Sequence, residues 1–257
     1  MTLILQASVK NIILEEIDMA LNSSATERKI DIVFCIDGTG SMSPCLDAIK
    51  NNAKKFYMDF VDKLTNEFGS SVDELNIKVI TFRDYVEDGS ASMVQSEWYD
   101  ITAGDDIEYE KHLNGIVADG GGDEPENGLE ALFYAMTTDW NARGDKDRQV
   151  IVLFTDADAV PFGTQAGHPN YPADMVDMDG LLCTWMGHRP AVMGQGDFKL
   201  RDKCKRLVMF APAGTIYETL NGSFNRSQFT PVQMDAGLGD MNFDDIIKII
   251  AASASAV

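Results

Sequence analysis

Residues 31–42 read DIVFCIDGTGSM, an apolar run that ends in an acid and then in hydroxyls spaced by glycines. Ile32, Val33, Phe34, Cys35 and Ile36 have the composition of a strand buried on both faces of a parallel sheet. Asp37 falls at the carboxyl end of that strand, the edge at which open α/β sheets bind ligands. Gly38 and Gly40 permit a tight turn and close backbone approach. Asp37, Thr39 and Ser41 then offer one carboxylate and two hydroxyls from a single short loop. An all-oxygen donor set around an open position suits a hard divalent cation, Mg²⁺ first, with Ca²⁺ or Mn²⁺ as alternatives.

Other glycine loops fit this segment less well. A phosphate-binding P-loop needs a Gly-Lys pair, and Gly40 is followed by Ser41 and Met42. A dinucleotide fingerprint needs glycine or alanine where Ser43 stands, and an acid at the strand end opposes a pyrophosphate. The Asp-Gly-Thr turn of actin-like sugar kinases joins two strands, whereas Ser43-Pro44 opens a long helical pattern here.

The rest of the chain alternates strand and helix patterns, which predicts an α/β fold with a doubly wound, mostly parallel central sheet and helices on both faces. Helical periodicity runs over 43–68, 107–117, 127–137, 178–186, 216–220 and 243–252. Strand patterns run over 75–82, 93–99, 149–154, 206–210 and 229–234. Residues 1–27 carry apolar positions at near-helical spacing and predict an amphipathic helix ahead of a main domain over 28–257. The segment 156–205 is rich in proline and glycine and reads as long loops around one helix, where binding specificity is usually placed.

Two further segments end in acids. Residues 119–127 read DGGGDEPEN; Asp123 and Glu126 have the spacing of a capping box, with Pro125 in the first turn of the helix that follows. A cap leaves three successive glycines unexplained. Residues 152–156 read VLFTD, a buried strand ending in Asp156. Asp158, two residues on, reads as a solvated loop acid.

Asp37-Gly38-Thr39-Gly40-Ser41 resembles the first motif, Asp-x-Ser/Thr-x-Ser, of the metal-ion-dependent adhesion site of the von Willebrand factor A (VWA) family. Thr155-Asp156 is similar to that family's third metal loop, with Ala157 in place of the usual glycine, and the resemblance spans about residues 28–252. It implies direct ligation by Thr39 and Ser41, and ligation by Asp37 and Asp156 directly or through water. The second loop departs from the family's usual threonine: its Gly-Gly-Asp-x-Pro-Glu form resembles a separate set of members, and it offers Asp123 as the oxygen donor. The implied function is a cation-dependent protein-binding module, a scaffold or adaptor in an intracellular assembly, whose partner contributes an acidic side chain to the metal.

Composition limits the alternatives. Lys and Arg number 21 against 41 Asp and Glu, and the net charge of −20 disfavours nucleic acid and anionic membrane surfaces. The four cysteines form neither a paired metal spacing nor a disulfide framework, no secretory or membrane-spanning segment is legible, and a reducing cytoplasm is the expected compartment. His112, His168 and His188 are too scattered for a histidine-rich zinc site. Residues 174–180 imitate a calcium loop, but Met175 and Met186 stand where its end carboxylates belong. No general base or nucleophile is placed for catalysis. An aspartyl phosphohydrolase using Asp37 would need an aspartate where Cys35 stands, and the remaining alternative is a structural subunit with a vestigial site.

Overall fold

Strand β1 (Lys29–Asp37) is buried from Ile30 to its end and therefore has to be covered on both faces and both edges. The computed structural model describes residues 27–121, 125–194, 196–236 and 241–256. The expected N-terminal helix lies outside them. On one edge β1 pairs in parallel with β2 (Glu74–Phe82), and on the other with β5 (Arg148–Phe154). The sheet continues in parallel through β6 (Lys205–Pro212) to β7 (Ser227–Val232). The outer edge of β2 is closed by two short antiparallel strands, β3 (Met93–Gln95) and β4 (Tyr99–Asp100). The order of this seven-stranded sheet is β3-β2-β1-β5-β6-β7, with β4 also on β2. The expected mostly parallel sheet is present. The single edge strand expected over 93–99 is instead two fragments, separated where Ser96 turns its hydroxyl to the Val79 amide.

Side chains alternate across the sheet with a period of two, so each strand feeds two cores. Ile30, Ile32, Phe34 and Ile36 face α1 (Ser43–Asn66), α2 (Asp106–Gly115) and α6 (Phe243–Ser255). Val33 and Cys35 face the opposite layer, built from α3 (Gly128–Thr137), α4 (Met178–Trp185) and α5 (Ile216–Ser223). These helices match the sequence periodicity to within a few residues at their ends. All four cysteines are free thiols, with Cys35, Cys45 and Cys204 buried. No helix among the described residues is long and apolar enough to cross a membrane.

The strand order reverses direction at β1, since the chain moves outward to β2 on one side and later returns to β5 on the other. This is the topological switch point of a doubly wound sheet, and the carboxyl ends of β1 and β5 form its crevice. In register, Ile36 lies beside Phe154, which brings Asp37 and the Thr155-Asp156 pair to adjacent strand ends.

Phe154 packs beneath that crevice in the core under α1, α2 and α6, stacking on Phe210 at 5.1 Å between centroids and on Phe34 at 6.1 Å. Phe154→Ala is expected to lower unfolding free energy by about 3–5 kcal/mol through lost burial and the cavity left behind. Urea unfolding checks this: the midpoint should fall while the slope stays unchanged.

Candidate metal centre

Asp37 is fully buried, as is Asp156, while Thr39 is nearly so and Ser41 lies exposed at the mouth of the crevice. The Thr39 amide and hydroxyl both donate to Asp37 Oδ1, at 2.9 and 2.7 Å. Thr155 Oγ1 donates to the other carboxylate oxygen at 2.7 Å. Thr39 Oγ1 lies 3.3 Å from Ser41 Oγ, and Ser41 Oγ donates to Asp156 Oδ1 at 2.9 Å. Asp37, Thr39, Ser41 and Asp156 thus form one continuous chain of side-chain oxygens, with its ends less than about 9 Å apart by hydrogen-bond lengths alone. Burial pushes the Asp37 carboxyl from its ordinary 3.8 up to about 6, the Asp156 charge adds to the rise, and the donated hydrogen bonds oppose it.

The first loop is built by close approach. A side chain at Gly38 would stand 2.6 Å from the Thr81 methyl and 3.0 Å from the Arg83 guanidinium. The loop is stitched to the second glycine segment by the backbone: the Asp119 amide donates to Gly38 O at 3.1 Å, and the Gly40 amide to Gly120 O at 3.4 Å. Gly120 and Gly121 both have left-handed backbone, with φ of 77° and 71°. A Cβ at Gly121 would lie 2.6 Å from the Thr39 methyl. These two glycines exist for backbone conformation and contact with the first loop, which a helix cap alone does not require.

Asp123 lies outside the described residues. The capping-box reading fails for Glu126 and Pro125: α3 begins at Gly128 with Asn127 in the capping position, so both residues precede the helix. Glu126 is instead bridged to Ala159, its amide donating to Asp158 O and its carbonyl accepting from the Val160 amide. Its nearly buried carboxylate lies against Gly121, with Oε1 3.0 Å from where a Cβ would be. This acid in the wall of the site was missed in the sequence because the capping pattern explained it locally. Asp158 also differs from expectation. It is half-buried and accepts from the Ala159 amide and from the first amide of α5, Ile216. Asp177 has a similar structural role, capping α4 through the Gly180 amide.

Arg83 was a second omission. Its nearly buried guanidinium donates to Gly38 O and Asp119 O through Nε, to Ala91 O through Nη1 and to Val117 O through Nη2, all within 2.9 Å. It ties the first and second loops together entirely through carbonyls, a partnership with no sequence signature.

Among the described residues no three His, Cys, Asp or Glu gather as a metal cage. The donor set is two carboxylates and two hydroxyls, all hard oxygens, which suits Mg²⁺ better than a soft metal. The scattered histidines stay outside it: His112 lies on α2 against Tyr99.

A doubly wound sheet with an oxygen-lined crevice at its switch point defines the class of domain. The model of the von Willebrand factor type A domain family matches residues 31–186, and the chain belongs to that family. The family is one of protein-interaction and adhesion modules. No curated protein matches the chain. Among solved structures, the pilus adhesin SpaC from Lactobacillus rhamnosus GG is similar at 11% identity and a TM-score of 0.48, covering 90% of this chain and 31% of the adhesin. Proximal thread matrix protein 1 from the mussel byssus is similar at 14% identity and a TM-score of 0.43, covering 88% of this chain and 47% of that protein. The chain therefore spans about a third to a half of the length of these structures.

Arg83→Lys is expected to destabilise the fold by about 3 kcal/mol, since an ammonium cannot serve carbonyls in four directions and each lost hydrogen bond costs roughly 1 kcal/mol. Denaturant unfolding measures the loss. A change under about 0.5 kcal/mol, the range of ordinary surface substitutions, would show that the loops hold together without the guanidinium.

Proposed function

We propose that this chain is a divalent-cation-dependent protein-binding module, acting as a scaffold or adaptor in an intracellular assembly. The observation that carries the reading is the unbroken line of oxygens from Asp37 through Thr39 and Ser41 to Asp156 at the sheet's switch point. In this reading Thr39 and Ser41 are direct ligands of Mg²⁺, Asp37 and Asp156 hold it directly or through water, and Asp123 is supplied by the glycine loop. When bound, the cation supplies a concentrated positive charge at the rim of a strongly acidic molecule, able to engage an acidic side chain of a partner protein. The protein's own part is positioning. Thr155 and the Thr39 amide fix the Asp37 carboxylate, and Ser41, on the exposed rim, holds its hydroxyl against Asp156.

Binding rather than turnover fits these residues, because, among the described residues, the hydroxyls of Thr39 and Ser41 contact the carboxylates of the same oxygen set and one another, and no histidine or lysine joins them. The four free thiols support a reducing compartment.

Calorimetric titration with Mg²⁺ and Mn²⁺ tests the site. Binding is expected for the unaltered chain and should be lost in Asp37→Ala. Unchanged binding in that variant would remove the site from these residues. For Asp123→Thr, weakened Mg²⁺ binding is the result expected of a ligand, whereas unchanged affinity would limit Asp123 to a structural role.

The titration of Asp37 adds a pH signature. A cation needs the carboxylate, so Mg²⁺ affinity should be level above about pH 7 and fall by about tenfold per unit below pH 6, with proton release on binding. In the metal-free chain the native state holds this proton more tightly than the unfolded chain does. The stability it contributes is therefore complete below about pH 4 and is lost as pH rises through 6. Thermal melts with and without Mg²⁺ across pH 4–8 should diverge as the carboxylate ionises. A pH-independent affinity would contradict the assignment of Asp37.

A further inference from the structure

At one edge of the sheet β3 pairs with β2, and among the described residues no strand lies beyond it. The pairing is antiparallel, with Thr81 opposite Val94. The Arg83 amide donates to Ser92 O at 2.8 Å, and the Ser96 amide to Val79 O at 2.8 Å. Residues 92, 94 and 96 therefore turn their backbone groups toward β2. By the alternation of an antiparallel ladder, Met93 and Gln95 turn their amides and carbonyls away from it, onto an open edge.

Beside this edge runs a cleft of about 690 Å³. The sheet contributes Thr81, Val94 and, from β4, Tyr99, while α2 contributes Glu108, Lys111 and His112, which share one helix face. Val117, just past that helix, also lines the cleft, and it and Val94 are 64% and 43% exposed. The cleft is thus partly apolar and open to a partner along the length of β3.

Charge decides what fits it. Glu97 completes the lining, and both Glu97 and Glu108 are exposed. Among the described residues neither forms an ion pair. Burial raises the Tyr99 hydroxyl above its ordinary range, Ser96 opposes the rise through a hydrogen bond, and the charges of Glu97 and Glu108 add to it, so both carboxylates lie near one phenol. Residues 96–110 hold six acids and no lysine or arginine. Two of them, Asp100 and Asp105, are engaged in the turn between β4 and α2, where they accept from Thr102, Ala103 and the Asp100 amide. The cations nearby leave Glu97 and Glu108 available: Arg83 serves carbonyls, Lys78 approaches Glu97 from the opposite face of β2, and Lys111 is a single charge on the cleft wall.

We propose that this cleft and the open edge of β3 bind an extended segment of a partner protein that carries a lysine or arginine between apolar side chains. The segment adds a strand to β3 through the outward amides and carbonyls of Met93 and Gln95. Its alternate side chains then face the cleft, the apolar ones against Val94 and Val117 and the basic one toward Glu97 and Glu108. The net charge of −20 favours the approach of such a segment. This surface goes beyond the metal reading. None of Asp37, Thr39, Ser41 or Asp156 lines it, and it selects a base where a bound cation would select an acid.

The experiment is calorimetric titration of the full chain in EDTA with the capped hexapeptide Thr-Val-Thr-Lys-Thr-Val, which places valine and lysine on one face of a strand. Saturable binding is expected at a Kd below about 1 mM. Gln95→Pro removes an outward amide and leaves the bonds to β2 intact, so the fold should persist while binding weakens about tenfold or more. Glu97→Gln combined with Glu108→Gln should weaken it to a similar extent, as should glutamate in place of the peptide's lysine. Should Gln95→Pro fail to fold, the double variant, altered only at exposed side chains, decides alone. Absence of saturable binding would overturn the proposal, as would affinity that stays within about threefold in either folded variant or with the glutamate peptide. Occupation of the edge by a second copy, seen in sedimentation as a dimer that these variants dissociate, would overturn it too. Because the titration is run in EDTA, failure of the metal reading leaves its outcome unaffected.

Discussion

Parallel pairing of β1 with β5 is the constraint on which the rest of the molecule depends. The middle of each strand is apolar because both faces of the sheet are covered, and polar residues that remain buried follow at the carboxyl ends. Setting the two ends side by side places Asp37 within hydrogen-bond reach of Thr155 and places Ser41 against Asp156. The buried carboxylate would be costly if left alone. Three donated hydrogen bonds hold it, and its remaining tendency to take up a proton makes it a natural partner for a cation.

The loops around that crevice depend on backbone groups more than on side-chain pairs. Gly38 and Gly40 take part in backbone hydrogen bonds with β2 and the glycine loop, and Arg83 collects the carbonyls left over. Such a clamp is rigid, since a guanidinium satisfies several acceptors in fixed directions. The same residue type is used at the other pole, where three arginines meet carbonyls at the end of α6. In a molecule of net charge −20, buried arginines thus serve backbone carbonyls at both ends of the sheet.

The motifs legible in the sequence were those written in neighbouring residues. Asp37, Thr39 and Ser41 lie in one loop, and their relation to a buried strand follows from apolar run, acid and glycine in immediate succession. Asp156 is legible in the same way. Glu126 was misread because its distance from Asp123 satisfies a local capping rule, while its actual partners at Asp158 and Val160 belong to a distant loop. Asp158 was misread as solvated because the amide it caps, on Ile216, is 58 residues away. The split edge strand likewise depends on a hydroxyl contact across the sheet.

By itself the sequence determined the alternation of strands and helices, the two-sided burial of β1 and β5, and the oxygen chemistry available at their ends. Period-two and helical patterns and short-range turn chemistry carry that information. Only the tertiary structure decided that β5 lies beside β1, so that oxygens 115 residues apart meet at Ser41 and Asp156. It alone decided that Arg83 reaches two loops and that Arg28, Arg148 and Arg206 share one helix end. The physical reason is the same in each case: these contacts join groups far apart in sequence, and many of the acceptors are backbone carbonyls, which every residue possesses and which therefore leave no mark in the sequence.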